Sequence, residues 1–279
     1  MNITGIIKDS LKYPLSDWKK ILILGIFTVI GGSASLLNFI GITNNAILLI
    51  FVIVGLISGL LVDGYLFKIV KTSLDGENKL PEFNDWKNLL LNGVKVFITF
   101  IVYLILPPFV ILLLIFSLAG GLSPFGSDIS ILMGGSGMSP LIFFVTLILP
   151  GIENLFIIAI NLLNQYAIIL LVEFIIILPL FLVAVSNMAY EGEFMDAFRF
   201  GEIIEIITDI GKINLIKWYM ATGAIFLLLL SLGTLISLIV SVSYGSILFY
   251  LIPFLLSLIL LPYVQMYYVR AVALFYKPE

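Results

Sequence analysis

The chain has 279 residues, of which 61% are apolar and only 11% are charged. Soluble proteins carry about 45–50% apolar and about 25% charged residues, so this composition excludes a water-soluble globular fold. The mean hydropathy of +1.21 agrees, and the net charge of −3 excludes a basic surface for nucleic acid. We therefore predict an all-α, polytopic membrane helical bundle, with one integral membrane domain over residues 1–279 and no nucleic-acid partner.

The residue inventory also limits the chemistry. The chain contains no Cys and no His, which excludes thiolate nucleophiles, Ser-His-Asp and Cys-His arrangements, and thiolate or imidazole metal sites. No nucleophile–base pair or metal cluster can be assembled from the residues that remain. We expect a protein that is not an enzyme and that holds no metal and no cofactor.

Six apolar runs are long enough to cross about 30 Å of hydrocarbon, which takes about 20 residues. They lie at about 21–40, 46–70, 93–118, 166–189, 218–242 and 247–269. The 14 basic residues cluster before the first span, near alternate connections and after the last span, whereas the loops near 41–45, 119–165 and 243–246 contain none. The positive-inside rule predicts six crossings of the cell membrane with both termini cytoplasmic.

Tryptophan marks the start of every second helix. Trp18, Trp86 and Trp218 precede the first, third and fifth spans, and we predict that they anchor three helical hairpins at the membrane interface. Residues 16–25 also align with residues 84–93 at five identities in ten, with Ser16 and Asn84 as the expected N-caps. The repeat indicates either an internal duplication or two helices that adopted the same start independently.

Several motifs together resemble a known family. They are Tyr13-Pro14-Leu15-Ser16-Asp17-Trp18-Lys19, Gly64-Tyr65, Leu80-Pro81-Glu82-Phe83-Asn84-Asp85-Trp86 with Gly93, and Ala189-Tyr190-Glu191-Gly192 with Ala197-Phe198-Arg199-Phe200. The combination resembles an archaeal family of multi-pass membrane proteins catalogued as a domain of unknown function. The resemblance implies an integral protein of the archaeal cell membrane, and it carries over no activity and no catalytic or binding residue.

Three segments outside the spans are predicted to lie at the membrane interface. Residues 3–13 form an amphipathic helix that we place on the inner leaflet, and residues 80–91 lead into the third span. Residues 194–212 are also amphipathic, but their net negative charge would be repelled by anionic lipid. We expect this segment to pack on the protein's own cytoplasmic face; a cationic protein surface is the alternative.

The stretch from 119 to 165 is the least regular part of the chain. Its Gly-rich run at 134–137 lacks the lysine and the spacing of a phosphate-binding loop. Beyond Pro150, a polar helical stripe is formed by Glu153, Asn154, Asn161 and Asn164. We predict that residues 141–165 form a re-entrant or interfacial segment on the outer side of the membrane.

Small residues predict where the helices pack, because membrane helices associate through close backbone approach. The second span carries Gly55 and Gly59, and the fifth span carries a row of small residues, Gly233, Ser237, Ser241 and Gly245. We expect these seams to pack within one chain; homodimerisation is the alternative.

Two carboxylates lie inside the predicted spans, Asp63 and Glu173. Intramembrane carboxylates are costly and are therefore candidate functional sites. Lys68 or Lys95 could reach Asp63 and form a structural ion pair with it. No basic residue lies at the depth of Glu173, which must therefore be protonated, hydrogen-bonded or hydrated.

Two classes of function remain. The first is a non-enzymatic membrane scaffold, an assembly factor or an envelope-organising protein, which acts in the lipid bilayer on a membrane-protein partner or as a homodimer. The second is a small-molecule or lipid transporter, proton-coupled if Glu173 titrates.

Overall fold

A computed structural model of the chain describes residues 2–34, 44–110, 172–241, 252 and 254–276. Every regular element in these ranges is helical, which confirms the all-α prediction for the part of the chain they cover. The predicted segment 141–165, its polar stripe (Glu153, Asn154, Asn161 and Asn164) and Gly245 lie outside the described residues.

Eight α-helices occupy the described ranges. They are α1 (Ile3–Lys12), α2 (Trp18–Gly31), α3 (Asn45–Leu74), α4 (Trp86–Phe100), α5 (Leu178–Glu191), α6 (Phe200–Ile210), α7 (Lys212–Ser241) and α8 (Leu261–Tyr276). Short 3₁₀ turns lie at Pro14–Ser16 and Phe194–Phe198. Turns of π-helix lie at Ile101–Ile105, which continues α4, and at Glu173–Ile177 and Leu256–Leu260, which lead into α5 and α8.

Five helical stretches are long and apolar enough to cross a membrane. They are Asn45–Leu74, Trp86–Val110, Glu173–Glu191, Lys212–Ile236 and Leu256–Tyr276. Each overlaps one of the six predicted spans. Helix α2 covers the start of the remaining one with 14 residues, and residues 35–43 beyond it lie outside the described ranges.

The chain divides into two compact units. The first contains Met1–Ile30, Ser58–Thr99 and Pro179–Glu279, and the second contains Gly31–Ile57 and Phe100–Leu178. In the second unit, an added Cβ at Gly31 would lie 3.9 Å from the carbonyl oxygen of Gly55, so the predicted Gly55 position faces α2. The π-helical turns Ile101–Ile105 and Glu173–Ile177 contact each other there.

In the first unit, α7 and α8 run antiparallel along their length. Trp218 stacks on Phe275 with 4.2 Å between ring centroids, and Phe226 contacts Tyr268 at 5.2 Å. Further along α7, an added Cβ at Gly233 would lie 2.8 Å from Leu260, which places one predicted seam residue in this interface. The side chains of Ser237 and Ser241 lie outside the described part of α7, and Gly59 on α3 is partly exposed.

Helix α1 packs along α8 in the same unit. Its Ser10 is buried, and the Tyr263 hydroxyl of the last span donates to the Leu11 carbonyl at 2.8 Å. Part of the surface of the amphipathic segment predicted for the inner leaflet is therefore packed against α8.

Three glycines bring helix backbones into direct contact. An added Cβ would lie 1.8 Å from the Leu89 carbonyl oxygen at Gly64, 1.8 Å from that of Leu60 at Gly93, and 1.9 Å from that of Leu258 at Gly25. No side chain fits at such distances, so glycine is required at all three positions. Gly64 on α3 faces the backbone of α4, and Gly93 on α4 faces the backbone of α3, so each helix supplies one glycine to the contact.

Candidate functional site

The two repeated segments begin helices in the same way. Helices α2 and α4 start at Trp18 and Trp86, and an aspartate precedes each of them. Asp17 Oδ1 accepts from the Lys19 backbone N–H at 3.0 Å, and Asp85 Oδ1 accepts from that of Asn88 at 3.4 Å. The prediction that Ser16 and Asn84 are the N-caps is wrong, because the capping carboxylates stand one residue later, where a side-chain oxygen reaches the free N–H groups of the first turn.

The final glycines of the two repeated segments, Gly25 and Gly93, also match, since each lets its helix touch another backbone. The three predicted anchors differ, however. Trp18 and Trp86 are 53% and 48% exposed, as side chains at an interface would be, whereas Trp218 is 2% exposed. Trp218 contributes to packing between α7 and α8.

The connection between α3 and α4 is fixed in place by hydrogen bonds from side chains to its backbone carbonyls. Five of the carbonyls between residues 77 and 82 accept hydrogen bonds from side chains on other elements. The pairs are Arg270 Nη1 to Glu77 O (2.7 Å), Tyr13 Oη to Lys79 O (3.1 Å), Lys20 Nζ to Leu80 O (2.7 Å), Tyr65 Oη to Pro81 O (2.9 Å) and Lys68 Nζ to Glu82 O (2.8 Å). We call these five side chains and the segment they hold the clasp.

The clasp joins four helices through one short segment. Its donors come from the end of α1, from α2, from α3 and from α8. Backbone carbonyls need hydrogen-bond partners, and this irregular segment, of which Leu80 and Pro81 are buried, obtains them from side chains where a helix would use its own backbone. The segment therefore works as a shared acceptor that fixes four helix ends relative to one another.

Arg270 is the most buried charge in the clasp, at 2% exposure. Its Nε donates to Asp9 Oδ2 at 2.9 Å and its Nη2 to Asn78 Oδ1 at 2.7 Å, so all three guanidinium nitrogens are engaged. The guanidinium also lies 4.6 Å from the centre of the Tyr13 ring. A buried charge is tolerated when it is paired and fully hydrogen-bonded, and this geometry meets both conditions.

The remaining clasp side chains are also held in place. Lys20 is 8% exposed and binds Glu82 Oε1 at 2.7 Å. Tyr65 stacks on Phe83 with 3.7 Å between ring centroids and 8° between the planes. Burial raises the pKa of the Tyr13 hydroxyl above its ordinary value, although Arg270 opposes the rise, so this hydroxyl keeps the proton that it donates to Lys79.

The ion pair predicted for Asp63 is wrong. Lys68 donates instead to the Glu82 carbonyl and to the Asn84 side chain, both in the connection between α3 and α4. Within the described ranges, Asp63 forms no hydrogen bond and no ion pair, with Lys95 or with any other residue. Lys68 pairs elsewhere because the Glu82 carbonyl oxygen and the Asn84 amide oxygen both lie within hydrogen-bonding distance of its ammonium group.

Glu173 stands at the start of the π-helical turn Glu173–Ile177. Its Oε1 is buried and has no hydrogen-bond partner among the described residues. Buried polar atoms without a partner are rare, and π-helical turns are frequent at functional sites. Of the two candidate carboxyl groups, Glu173 therefore has the stronger structural grounds for a role. It belongs to the second unit, whereas Asp63 belongs to the first.

The acidic segment predicted at 194–212 forms a 3₁₀ turn and helix α6. In the turn, Asp196 is buried, and its backbone carbonyl accepts from Asn187 Nδ2 at 3.1 Å. Along α6 only Ile203 is buried, and the helix contacts α7. Its other side chains, with Glu205 and Asp209 among them, face outward or are partly covered, so most of this helix surface is available. Among the described residues, no group of three or more acidic side chains is arranged to hold a metal ion.

Residues 47–238 of the chain match the family described as "Protein of unknown function (DUF4013)". The chain belongs to this family. It is also similar to "Uncharacterized protein MJ1189" of Methanocaldococcus jannaschii, at 26% identity over 164 residues, which cover 51% of the chain and 56% of that relative. The chain thus spans little more than half of the relative's length. No solved structure matches it. The resemblance to an archaeal family of unknown function is confirmed.

Three of the four groups of motifs that carry the resemblance meet at the clasp, whereas Ala189-Tyr190-Glu191-Gly192 with Ala197-Phe198-Arg199-Phe200 contributes none of its bonds. Gly64 and Gly93 bring α3 and α4 together, and Tyr65 and Tyr13 donate to Pro81 and Lys79. The matched range includes the accepting segment, whereas the donors from α1, α2 and α8 lie outside it. The motifs around Tyr13, Tyr65 and Pro81 therefore contribute to joining the helix ends.

The sequence analysis missed the role of Arg270 and Lys20, which it used only as markers of topology. One signal was available for Arg270. It lies in an otherwise apolar stretch, Val269 to Phe275, where a charge requires partners. The acceptors gave no signal, because every residue carries a backbone carbonyl.

Proposed function

We propose that this protein is a non-enzymatic membrane scaffold or assembly protein of the cell membrane, with six crossings and both termini cytoplasmic. The observation that carries the proposal is the clasp. Five side chains from four helices bind one segment, and Arg270 and Lys20 are buried in doing so. A protein that holds other membrane proteins in position benefits from helix ends that stay fixed relative to one another.

The clasp also supports this proposal over a transport function. Alternating access requires helix bundles to rock or helices to slide relative to one another. Movement at the clasp would break charged hydrogen bonds, each of which contributes about 1.5–3 kcal/mol. The first unit is therefore built to keep its helix ends together.

Helix α6 provides the surface for a partner. Glu205 and Asp209 are exposed along it together with Ile204, whereas Glu202 is already paired with Arg199 at 3.5 Å. Charge complementarity favours a cationic surface of another membrane protein. A homodimer is the other arrangement open to a scaffold.

The test is charge reversal on α6. In the double variant Glu205→Lys and Asp209→Lys, we expect a stoichiometric partner cross-linked in native membranes to be lost while the thermal unfolding midpoint is retained. The control reverses an exposed acid directly after α3, Asp75→Lys, and should keep the partner. The scaffold proposal fails if the wild type has no stoichiometric partner, or if the α6 variant retains it.

A proton-coupled transporter is the second candidate, and the unpartnered Oε1 of Glu173 favours it. Glu173→Gln preserves the shape of the side chain, so stability should change by no more than about 1 kcal/mol. Proteoliposomes under a pH gradient, with internal pH and candidate solutes followed, decide between the candidates. Flux in the wild type and in the control Glu191→Gln, absent in Glu173→Gln, would select the transporter; absence of flux from all three supports the scaffold.

A further inference from the structure

An apolar groove lies in the first unit, between the start of α2 and the last span. Its volume is about 430 Å³, and its walls include Leu15, Trp18, Leu256, Ile259 and Tyr263. Clefts of about 300–1,000 Å³ with mainly apolar walls are the usual form of ligand sites in proteins. The groove is open along one side, where Leu15 and Trp18 are about half exposed.

The residues that line the groove favour an apolar ligand. The hydroxyl of Tyr263 is already used, since it donates to the Leu11 carbonyl at 2.8 Å. The other walls are hydrocarbon and the Trp18 ring. A hydrocarbon chain would cover these walls and leave no hydrogen-bonding group unsatisfied.

The groove runs beside the last span. Its lining on that span includes residues from Ile252 to Tyr263, and Leu15 and Trp18 complete it near the start of α2. A lipid chain lying in the groove would therefore lie along this span, with the half-exposed Trp18 ring beside it.

Two exposed lysines stand close in sequence to residues that line the groove. Lys12 lies three residues before Leu15, and Lys19 directly follows Trp18; both are exposed, and neither side chain is ion-paired within the described part of the chain. The nearby acids are already committed, because Asp9 binds Arg270 at 2.9 Å and Asp17 lies 3.5 Å from Lys20. Two lysines are thus left to meet an anion.

We infer that this groove binds one chain of an anionic membrane lipid, whose headgroup lies at Lys12 and Lys19. A second copy of the protein fits less well, because a symmetric contact through this face would bring like charges together. Each lysine near an anionic headgroup favours its binding by about fivefold.

Trp18 makes the inference measurable, because bromine on a lipid chain quenches the fluorescence of a tryptophan that it touches. The variant Trp86→Phe reports on Trp18, and the variant Trp18→Phe reports on Trp86, which is equally exposed but lines no part of the groove. Trp218 is buried in both and gives a common background.

The vesicles contain a zwitterionic and an anionic lipid, with bromine placed on a fixed small mole fraction of either one. We expect Trp18 to be quenched more strongly when the anionic lipid carries the bromine, and Trp86 to be quenched equally in both cases. The double variant Lys12→Gln and Lys19→Gln, made at two exposed positions that the fold does not need, should remove the preference of Trp18.

Three results would overturn the inference. The first is equal quenching of Trp18 by the two brominated lipids. The second is a preference that persists in the double lysine variant. The third is a loss of Trp18 quenching by both brominated lipids as the density of protein in the vesicles rises, which would show that a second copy fills the groove.

Discussion

At the scale of single residues, side chains of the same type have separate tasks in this protein. Lys19 and Lys20 are adjacent, yet Lys19 is exposed and Lys20 is buried against the Leu80 carbonyl and Glu82. Composition and the positive-inside rule treat both alike, as markers of the same loop. The structure distinguishes a lysine that meets the surroundings from one that holds the fold together.

This difference predicts unequal effects of one substitution at the two positions. Lys20→Met removes charged hydrogen bonds from a buried carbonyl and should lower the free energy of unfolding by about 1.5–3 kcal/mol. Lys19→Met should change it by less than about 0.5 kcal/mol, as is usual at an exposed position. Denaturant unfolding in detergent micelles measures both. Equal effects of the two substitutions would mean that Lys20 does not contribute to stability through the clasp.

At the scale of helices, glycine determines which backbones can touch. At Gly93, an added methyl group would collide with the Leu60 carbonyl, whereas at Gly223 in α7 it would meet nothing within 4 Å. Gly93→Ala should therefore separate α3 from α4 and destabilise the protein by about 1–3 kcal/mol. Gly223→Ala should be neutral or stabilise the protein by up to about 1 kcal/mol, because alanine is the better helix former. Thermal unfolding of the two variants in the same detergent is the measurement, and a destabilised Gly223→Ala or an unaffected Gly93→Ala would refute this explanation.

The same scale shows what the sequence could predict. The helices were predictable because hydropathy and the Asp-Trp starts are local patterns, and five membrane-length helices lie where apolar runs indicated them. The helix contacts were harder to predict. Gly55 and Gly233 face neighbouring helices, but the closest approaches involve Gly25, Gly64 and Gly93, which belong to no GxxxG pattern.

Long-range pairing explains why the ion pair predicted for Asp63 is wrong and why the role of Arg270 was missed. Lys68 has Asp63 five residues away on its own helix, yet it binds Glu82 and Asn84 beyond the turn. Arg270 reaches residues 192, 193 and 261 positions distant in the chain. A single sequence gives no indication of such distant partners, and backbone acceptors leave no residue signature.

At the scale of the whole molecule, the proposed topology follows from the absence of basic residues in alternate loops. Because the chain has no native Cys, single cysteines at Asn44, Ser127 and Ser243 can be labelled selectively in intact cells with an impermeant thiol reagent. We expect all three to react, and cysteines at Asn78 and Asp209 to react only after the membrane is opened. Labelling of Asn78 or Asp209 in intact cells would overturn the six-span arrangement.

The central claim is that the clasp is a permanent brace and not a gate, and a distance across it tests this most directly. Spin labels at the exposed positions Lys8 and Asp75 lie on two elements that Arg270 joins. Double electron–electron resonance in lipid nanodiscs should give one narrow distance distribution, which Lys19→Met leaves unchanged and Arg270→Met broadens. Two separate distance populations in the otherwise native protein, or a distribution that Arg270→Met does not alter, would contradict the claim.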